Sequence, residues 1–446
     1  MLTKEGAKMK TTNEIVRTAK IKKVNPMVNS VLSFVAKTLY YKKCKVEIKR
    51  TVNLNDYKHK PLIVVSNHAS RLDYAFVNYA MKRRNMNFVA AENEFHRSHL
   101  KTVFKLGHVI PKKNFVPDMT TIKGIGKILK REKNGCVCIF PCGMSTATGA
   151  QQPSALGSGK MLKHFGVDVL GVRIHGGYFV SPKFDVKERY GKVEVELFPL
   201  FSPEQLSQLS EGEIQRQLDD ALFTDDFAWN EKRQHSYKCD WGYAEHLEQL
   251  MYKCPACGAE QMLGKGNEIK CQKCGNGGTV DDKYNLVPFS GSTLPKNLRI
   301  WFDNQRRHVR KQVLQDDFCL EEHVQLGTMP QYGYVPDKKI GDLVGEGTLR
   351  LDKTGMSFNG VRDGKPFQTF IKSEVLPTLL FPVDASFFYT YASGEFLFFV
   401  PDGNSCVKWQ LSVEEVYRTN GGKWQNYPWF NYDGEDYLNG YPLEEK

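Results

Sequence analysis

Short apolar runs alternate with stretches of helical periodicity through residues 46–198. The strand candidates are 62–66, 87–91, 136–140, 167–174 and 193–198. Apolar residues at helical spacing occupy 119–130, 158–164 and 211–223. Because strands that alternate with helices are joined by crossovers, this order predicts an α/β domain with a mainly parallel sheet flanked by helices. We assign residues 46–245 to this domain.

A histidine and an aspartate stand where the first predicted strand gives way to a helix. Residues 61–73 read PLIVVSNHASRLD, and open α/β sheets bind their ligands at turns of this kind. His68, with Asp73 five positions later, fits a general base whose imidazole is oriented by a carboxylate. A structural interpretation stays open beside it. Ser70 and Asp73 also form a capping-box pattern, and His68 would then be a polar loop residue.

The stretch NHASRLD after an apolar strand closely resembles the first motif of the lysophospholipid acyltransferases, the 1-acylglycerol-3-phosphate acyltransferase family. The resemblance covers roughly residues 46–225 and implies an α/β acyltransferase domain. It implies direct acyl transfer from acyl-CoA or acyl-carrier protein to the hydroxyl of a lysophosphatidate-like acceptor. In that chemistry His68 is the general base, and Asp73 orients it.

Two lysines occupy the position of the family's second motif. In HVIPKKN, Lys112 and Lys113 stand where the family has an arginine that binds the acceptor's phosphate, with Lys113 in register. The resemblance therefore implies that both lysines bind this phosphate, as point charges without a bidentate fork. The alternative is a solvated loop that happens to contain two lysines.

The segment FPCGMST resembles the family's FPEG motif. Phe140, Pro141 and Gly143 match, whereas Cys142 replaces the glutamate that contacts the acceptor, and Met144 replaces arginine or threonine. By position, Cys142 and Gly143 are assigned to the substrate site. A thiol is a much weaker hydrogen-bond acceptor than a carboxylate. This departure supports a rival hypothesis, in which the fold has lost turnover and serves as a lipid-binding or scaffold protein.

Cys142 admits two further interpretations. It could be a nucleophile that accepts the acyl group, because it follows a strand and lies on the same sheet as His68. It could equally be an inert thiol that fills space. Since the family transfers the acyl group directly, we expect Cys142→Glu to restore a contact with lysophosphatidate and to raise turnover.

Four of the eleven cysteines form two CxxC pairs, each followed by glycine. Cys254, Cys257, Cys271 and Cys274 supply the four thiolates of a closed tetrahedral site, which predicts a structural zinc ion in a zinc-ribbon-like segment at 246–282. The other seven cysteines are scattered, as is typical of a reducing compartment. The segment lacks an obvious run of basic and aromatic residues, and we expect no nucleic-acid partner.

The N-terminal segment 1–45 is basic and amphipathic. The first fifty residues hold thirteen lysines and arginines against three glutamates, within a net charge of +12 for the chain. Residues 27–41 fit a helix lying in a membrane interface, or a helix packed on its own domain. The sequence has no spanning run of apolar residues and no secretory signal. We therefore expect a cytoplasmic protein, peripheral on the inner face of an anionic membrane.

The last third of the chain changes pattern twice. Residues 283–335 predict a helical linker whose basic helix, from Leu294, is solvated or faces the membrane. From 336 to 446, short alternating runs with glycine and aspartate turns predict antiparallel hairpins, followed by a helix near 412–418. This order resembles a pleckstrin-homology (PH) or GRAM-like module, an architecture that implies lipid or protein binding or a bracing role.

Overall fold

A computed structural model describes residues 10–41, 43–113, 118–131, 134–336, 341–392 and 394–422. The helices are α1 (Thr12–Thr18), α2 (Pro26–Ala36), α3 (Asp73–Ala80), α4 (Ser98–Leu106), α5 (Met119–Arg131), α6 (Ser158–Phe165), α7 (Gly177–Val180), α8 (Pro203–Gln208), α9 (Glu211–Leu222), α10 (Asp226–Arg233), α11 (Leu298–Val313) and α12 (Cys406–Thr419). The strands are β1 (Val46–Arg50), β2 (Leu62–Ser66), β3 (Asn87–Ala91), β4 (Ile110–Lys112), β5 (Cys136–Ile139), β6 (Asp168–His175), β7 (Val193–Phe201), β8 (Met262–Lys265), β9 (Glu268–Cys271), β10 (Gly277–Val280), β11 (Leu286–Pro288), β12 (Leu320–Thr328), β13 (Asp342–Asp352), β14 (Gly355–Arg362), β15 (Lys365–Lys372), β16 (Phe388–Ala392) and β17 (Glu395–Pro401).

The first seven strands form one sheet in the order β1-β7-β6-β2-β5-β3-β4. Every neighbouring pair is parallel except β6 with β7, which confirms the predicted mainly parallel sheet. Strands β2 and β3 have the predicted bounds. Strands β1 and β4 were not predicted, because one alternates charged with apolar residues and the other has only three residues.

Both faces of this sheet are covered, as a mainly parallel sheet requires. Successive side chains of a strand point to opposite faces. Leu62 and Val64 of β2 therefore join the cluster that contains α3, whereas Ile63 and Val65 join the cluster that contains α5, α6 and α9. Strands β6, β2, β5, β3 and β4 all end at one edge of the sheet, called the carboxyl edge below.

A second, small sheet is antiparallel and has the order β11-β10-β9-β8. It lies in the segment expected to be a zinc ribbon, and strand β11 extends it beyond the predicted end at residue 282. The two cysteine pairs flank β8 and β9, with Cys271 opposite Met262 in the β8–β9 ladder.

A third sheet is antiparallel, with the order β15-β14-β13-β12-β17-β16, and α12 follows it. Its strand β12 pairs with β13 and β17. Because β12 lies within the predicted helical linker 283–335, the predicted boundary at 336 falls inside this β-rich unit and not before it. Residues 337–340, 393 and 423–446 of the predicted module lie outside the described residues, and its likeness to PH or GRAM modules stays a prediction.

Helix α11 is neither a solvated basic helix nor a membrane-facing one, so both predicted alternatives are wrong. Its residues Trp301, Phe302 and Arg306 are buried. The Arg306 guanidinium lies 2.5 Å from Glu414 and 3.3 Å from Glu415 of α12. A buried cation needs such partners, because desolvation without a counter-charge is costly. The basic residues of this helix therefore join two parts of the chain.

Candidate active site

The His68 and Asp73 side chains meet at the carboxyl edge. His68 follows β2, and Asp73 is the first residue of α3. The His68 Nδ1 atom lies 2.8 Å from Asp73 Oδ2, and the carboxylate is fully buried, while 22 % of the histidine side chain is exposed. With Nδ1 engaged, Nε2 is the nitrogen that remains for proton transfer. The predicted pair is therefore in contact.

Asp73 also forms hydrogen bonds with Ser70, as in the capping box that the sequence offered as the alternative to catalysis. Its Oδ2 atom accepts a hydrogen bond from the Ser70 backbone N–H at 2.9 Å, and the Ser70 hydroxyl donates to Oδ1 at 2.8 Å. Ser70 is not the N-cap of α3, however, since Leu72 occupies that position without a side-chain cap. The first turn of a helix favours a carboxylate. One buried carboxylate thus holds both the turn and the imidazole.

The loop after β5 holds His68 in place. The imidazole stacks on the Phe140 ring, with 4.6 Å between the ring centroids. The His68 carbonyl accepts a hydrogen bond from Thr146 N at 2.9 Å, and the His68 N–H donates to Gln151 Oε1 at 3.1 Å. Sequence reasoning missed Thr146 and Gln151, because nothing local connects His68 with residues about eighty positions later.

Cys142 is held as a neutral thiol. Its Sγ donates to the Met144 carbonyl at 3.3 Å, and burial raises the pKa of the thiol to about 11. A thiol is a poor nucleophile compared with its thiolate, so this environment argues against acyl transfer through Cys142. Gly143, next in the chain, has a φ of +76°, which favours glycine, and its N–H bonds to the Phe140 carbonyl.

Lys112 and Lys113 lie at the same edge as His68, at the end of β4. Three strand spacings separate β4 from β2, roughly 14 Å in a sheet of this kind. The Lys112 Nζ donates to the Lys113 carbonyl at 3.3 Å, and burial lowers the pKa of Lys112. The Lys113 Nζ lies 3.3 Å from the Tyr391 hydroxyl of β16. The β-rich unit thus reaches the lysine that is in register with the family's arginine.

The four predicted metal ligands come together in the small sheet. Cys254, Cys257, Cys271 and Cys274 have all their sulfur atoms within 4.8 Å of one another. The distances are 3.7 Å for Cys254–Cys274 and 3.8 Å for Cys257–Cys271. Tetrahedral coordination with Zn–S bonds of about 2.3 Å requires sulfur separations of about 3.8 Å. The donor set therefore fits a zinc ion.

Each cysteine pair is shaped by a glycine turn. Gly258 and Gly275 have φ values of +73° and +78°, and each N–H bonds to the carbonyl of the first cysteine of its pair. Hydrogen bonds from the Ala259 backbone N–H and from the neighbouring cysteine thiols lower the pKa of the Cys257 thiol to about 7. This favours the thiolate that a metal requires.

Helix α2 packs on the α/β domain with one face and exposes the other. The Ser33 hydroxyl donates to Asn78 of α3 at 2.7 Å, and the Asn29 side chain donates to the Arg83 carbonyl at 2.8 Å. The exposed apolar residues of α2 and the following π-helical turn Lys37–Tyr41 are Met27, Val31, Phe34, Val35 and Leu39. The predicted packing is therefore present, together with an apolar face that none of the described residues covers.

A basic cavity of about 270 Å³ lies next to the start of this helix. Lys23, Lys58, Lys82 and Arg84 line it, and the described lining residues include no carboxylate. Among the described helices, none combines the length and the apolar character needed to span a bilayer.

Part of the chain matches one protein-family model. The model of the Acyltransferase family matches residues 45–175, which contain six strands of the large sheet together with His68 and Asp73. Among solved structures, the chain is similar to the 1-acyl-sn-glycerophosphate (LPA) acyltransferase PlsC from Thermotoga maritima. The TM-score is 0.37 and the identity 19 %, over 46 % of this chain and 79 % of that chain. No curated protein matches. The family match supports an acyltransferase domain at 45–175.

Proposed function

We propose that this chain is a peripheral membrane acyltransferase that moves a fatty acyl group from acyl-CoA or acyl-carrier protein to the hydroxyl of a lysophosphatidate-like acceptor. One observation carries the proposal. The 2.8 Å contact between His68 Nδ1 and Asp73 Oδ2 lies at the carboxyl edge, inside the segment that matches the Acyltransferase family.

In the proposed reaction, His68 Nε2 removes the proton from the acceptor hydroxyl. The resulting oxygen attacks the thioester carbonyl and forms a tetrahedral intermediate. When that intermediate collapses, the C–S bond breaks, and the imidazolium returns its proton to the leaving thiolate. Asp73 keeps the imidazole in the required orientation and stabilises the imidazolium. The high pKa of the Cys142 thiol supports this direct transfer over a covalent acyl-enzyme.

Membrane association is part of the proposal, on the cytoplasmic side and at an anionic surface. The exposed apolar residues of α2 supply the inserting face, and the basic cavity beside it supplies charge that attracts anionic headgroups. From this helix the π-helical turn runs toward the active-site end of α3, where Tyr40 interacts with Arg71. A lipid acceptor would then reach His68 without crossing water. Structural zinc at the four clustered cysteines completes the proposal.

A second function, a lipid-binding or scaffold protein without turnover, has specific support. Cys142 stands where the family's acceptor-binding glutamate would be, and Lys113 is directed to Tyr391. Both observations concern acceptor binding, whereas the His68–Asp73 contact concerns catalysis. We therefore favour the enzyme.

The two functions are separated by one assay. Purified protein is incubated with lysophosphatidate and acyl-CoA, and free CoA and the diacylated lipid are both quantified, with the His68→Ala protein as control. We expect equal amounts of the two products from the wild-type protein alone. Lipid binding without release of CoA would contradict the enzyme and support the scaffold.

A further inference from the structure

Lys183 is a buried cation near the candidate active site that sequence reasoning did not single out. It follows α7, beyond the end of β6 and therefore at the carboxyl edge, and 5 % of its surface is exposed. Its Nζ lies 3.3 Å from the Ser145 hydroxyl and 5.2 Å from the centroid of the Phe381 ring of the β-rich unit. Ser145 immediately precedes Thr146, whose N–H holds the His68 carbonyl.

The charge of Lys183 is poorly compensated. An ammonium group has three donor hydrogens, and a buried ion without a counter-charge is costly. Within the described part of the chain, no carboxylate forms an ion pair with it. Burial lowers the pKa of Lys183 to about 8. The more distant Glu94 and Asp384 carboxylates favour the charged form, but their effect is smaller than that of burial. Among the described residues, these carboxylates thus stay beyond ion-pair distance from the Lys183 ammonium group.

A second buried donor lies nearby. Cys142 interacts electrostatically with Lys183, and the Gln151 side chain lies beside the same thiol. Gln151 is 5 % exposed, and its side-chain amide donates toward the Cys142 thiol. Lys183 and Gln151 thus place donors around one neutral thiol. An anion bound between Lys183 and Gln151 would lie next to the loop after β5, which holds His68.

We infer that Lys183, together with the Ser145 hydroxyl, forms the subsite that receives the phosphate monoester of the acceptor. This inference rests on the proposed acyltransferase function and names the residues that would make it selective for a phosphate-bearing acceptor. In this proposal Lys183, which lies outside the motifs that resemble the family, binds the phosphate. Lys113 does not, because its ammonium group contacts Tyr391. Acyl-CoA also carries phosphates, so the test distinguishes acceptor from donor.

The kinetic test compares Lys183→Met with Lys113→Met. Each protein is assayed with lysophosphatidate and with monoacylglycerol, the same lipid without phosphate, at varied acyl-CoA. We expect Lys183→Met to lose roughly ten- to a hundred-fold in kcat/KM for lysophosphatidate, the size of a lost charged hydrogen bond. Turnover of monoacylglycerol and the KM for acyl-CoA should not change. Lys113→Met should affect the two acceptors equally, and Lys183→Arg, which keeps the cation, should recover part of the loss.

Three kinetic outcomes would overturn the inference. If Lys183→Met loses activity equally with both acceptors, Lys183 has a structural role. If only the KM for acyl-CoA rises, Lys183 binds the acyl donor. If Lys113→Met loses activity selectively with lysophosphatidate, Lys113 binds the acceptor's phosphate. Because no carboxylate in the described part of the chain pairs with Lys183, its replacement by Met should not lower the unfolding midpoint. Should Lys183→Met fail to fold, Cys142→Glu provides the same test, because its carboxylate would compete for Lys183. This reverses the expectation from the sequence, in which Cys142→Glu raises turnover: we now expect Cys142→Glu to reduce selectivity for lysophosphatidate, and a gain would refute the subsite.

A binding measurement separates failure of this inference from failure of the proposed enzyme. Calorimetry with glycerol 3-phosphate requires no turnover. We expect binding to the wild-type protein and loss of binding in Lys183→Met. If acyl transfer is absent but this difference remains, the subsite stands without the reaction. No binding to the wild-type protein would contradict the subsite even if the protein is an acyltransferase.

Discussion

Asp73 has two functions, because its carboxylate contacts the His68 imidazole through Oδ2 and bonds to Ser70 through both oxygens. Asp73→Asn keeps an acceptor for the Ser70 N–H but removes the charge that orients His68. We expect kcat to fall by about 10²- to 10⁴-fold, because the neutral amide favours the wrong imidazole tautomer. Asp73→Ala should additionally cost about 1–3 kcal/mol of stability, because buried Ser70 loses its partners. Steady-state kinetics and urea unfolding measure the two effects.

Ser70→Ala is the matched control for Asp73. It removes the hydroxyl contact to Asp73 Oδ1 and leaves the 2.8 Å contact between the carboxylate and the imidazole. We expect a small loss of stability and nearly normal turnover. Normal turnover in Asp73→Asn would show that the carboxylate has only its capping role. Normal turnover in a folded His68→Ala protein would exclude general-base catalysis by His68.

At the scale of elements, the small sheet depends on its four thiols. We expect one zinc ion per chain in protein purified without added metal, and loss of that zinc in the double variant Cys254→Ser, Cys271→Ser. Because metal binding is coupled to folding, its loss should expose β8 to β11 to proteolysis more than it alters His68 chemistry. Elemental analysis and limited proteolysis check this. The control is Cys319→Ser, which replaces an exposed cysteine outside the cluster and should keep the zinc. A zinc content near zero in the wild-type protein would refute the site.

The exposed face of α2 is the element that we expect to contact lipid. The double variant Val31→Glu, Phe34→Glu places two charges on this face and should reduce binding to anionic vesicles by roughly ten-fold or more, since apolar burial drives insertion. Vesicle co-sedimentation measures it, and added salt should weaken binding of the wild-type protein. Val361→Glu changes a comparably exposed valine on β14 and should have no effect. Equal binding of all three proteins, or equal binding to neutral vesicles, would exclude this surface.

At the scale of the whole molecule, α11 connects the α/β domain with the β-rich unit. Arg299 is paired with Asp225, the N-cap of α10, and Arg306 with Glu414 and Glu415 of α12. Arg306→Met removes the cation paired with the buried Glu414 carboxylate, while Glu415 keeps Arg418, and should cost about 3–5 kcal/mol. Arg350→Met breaks an exposed pair with Glu321 and should cost at most about 1 kcal/mol. Denaturant unfolding compares them, and equal small effects would show that the buried pairs do not hold the two units together.

The sequence by itself determined those features that depend on neighbours in the chain. Strand periodicity located five strands of the large sheet, the strand-to-helix turn located His68 and Asp73, and the CxxC spacing located the four thiols. In each case the residues involved lie within one short segment, or within two segments of fixed geometry. Local patterns suffice there because backbone periodicity and ligand spacing are properties of the segment itself.

Only the tertiary structure decided which distant residues meet. Gln151 bonds to His68 across 83 positions, Lys183 to Ser145 across 38, and Arg306 to Glu414 across 108. The basic pattern around Arg306 is the same in a solvated helix and in a buried one. The difference lies in the carboxylates of α12, which folding brings beside it to offset the cost of burial. For Lys183, folding brings none of the described carboxylates to ion-pair distance, and its ammonium group bonds to the neutral Ser145 hydroxyl.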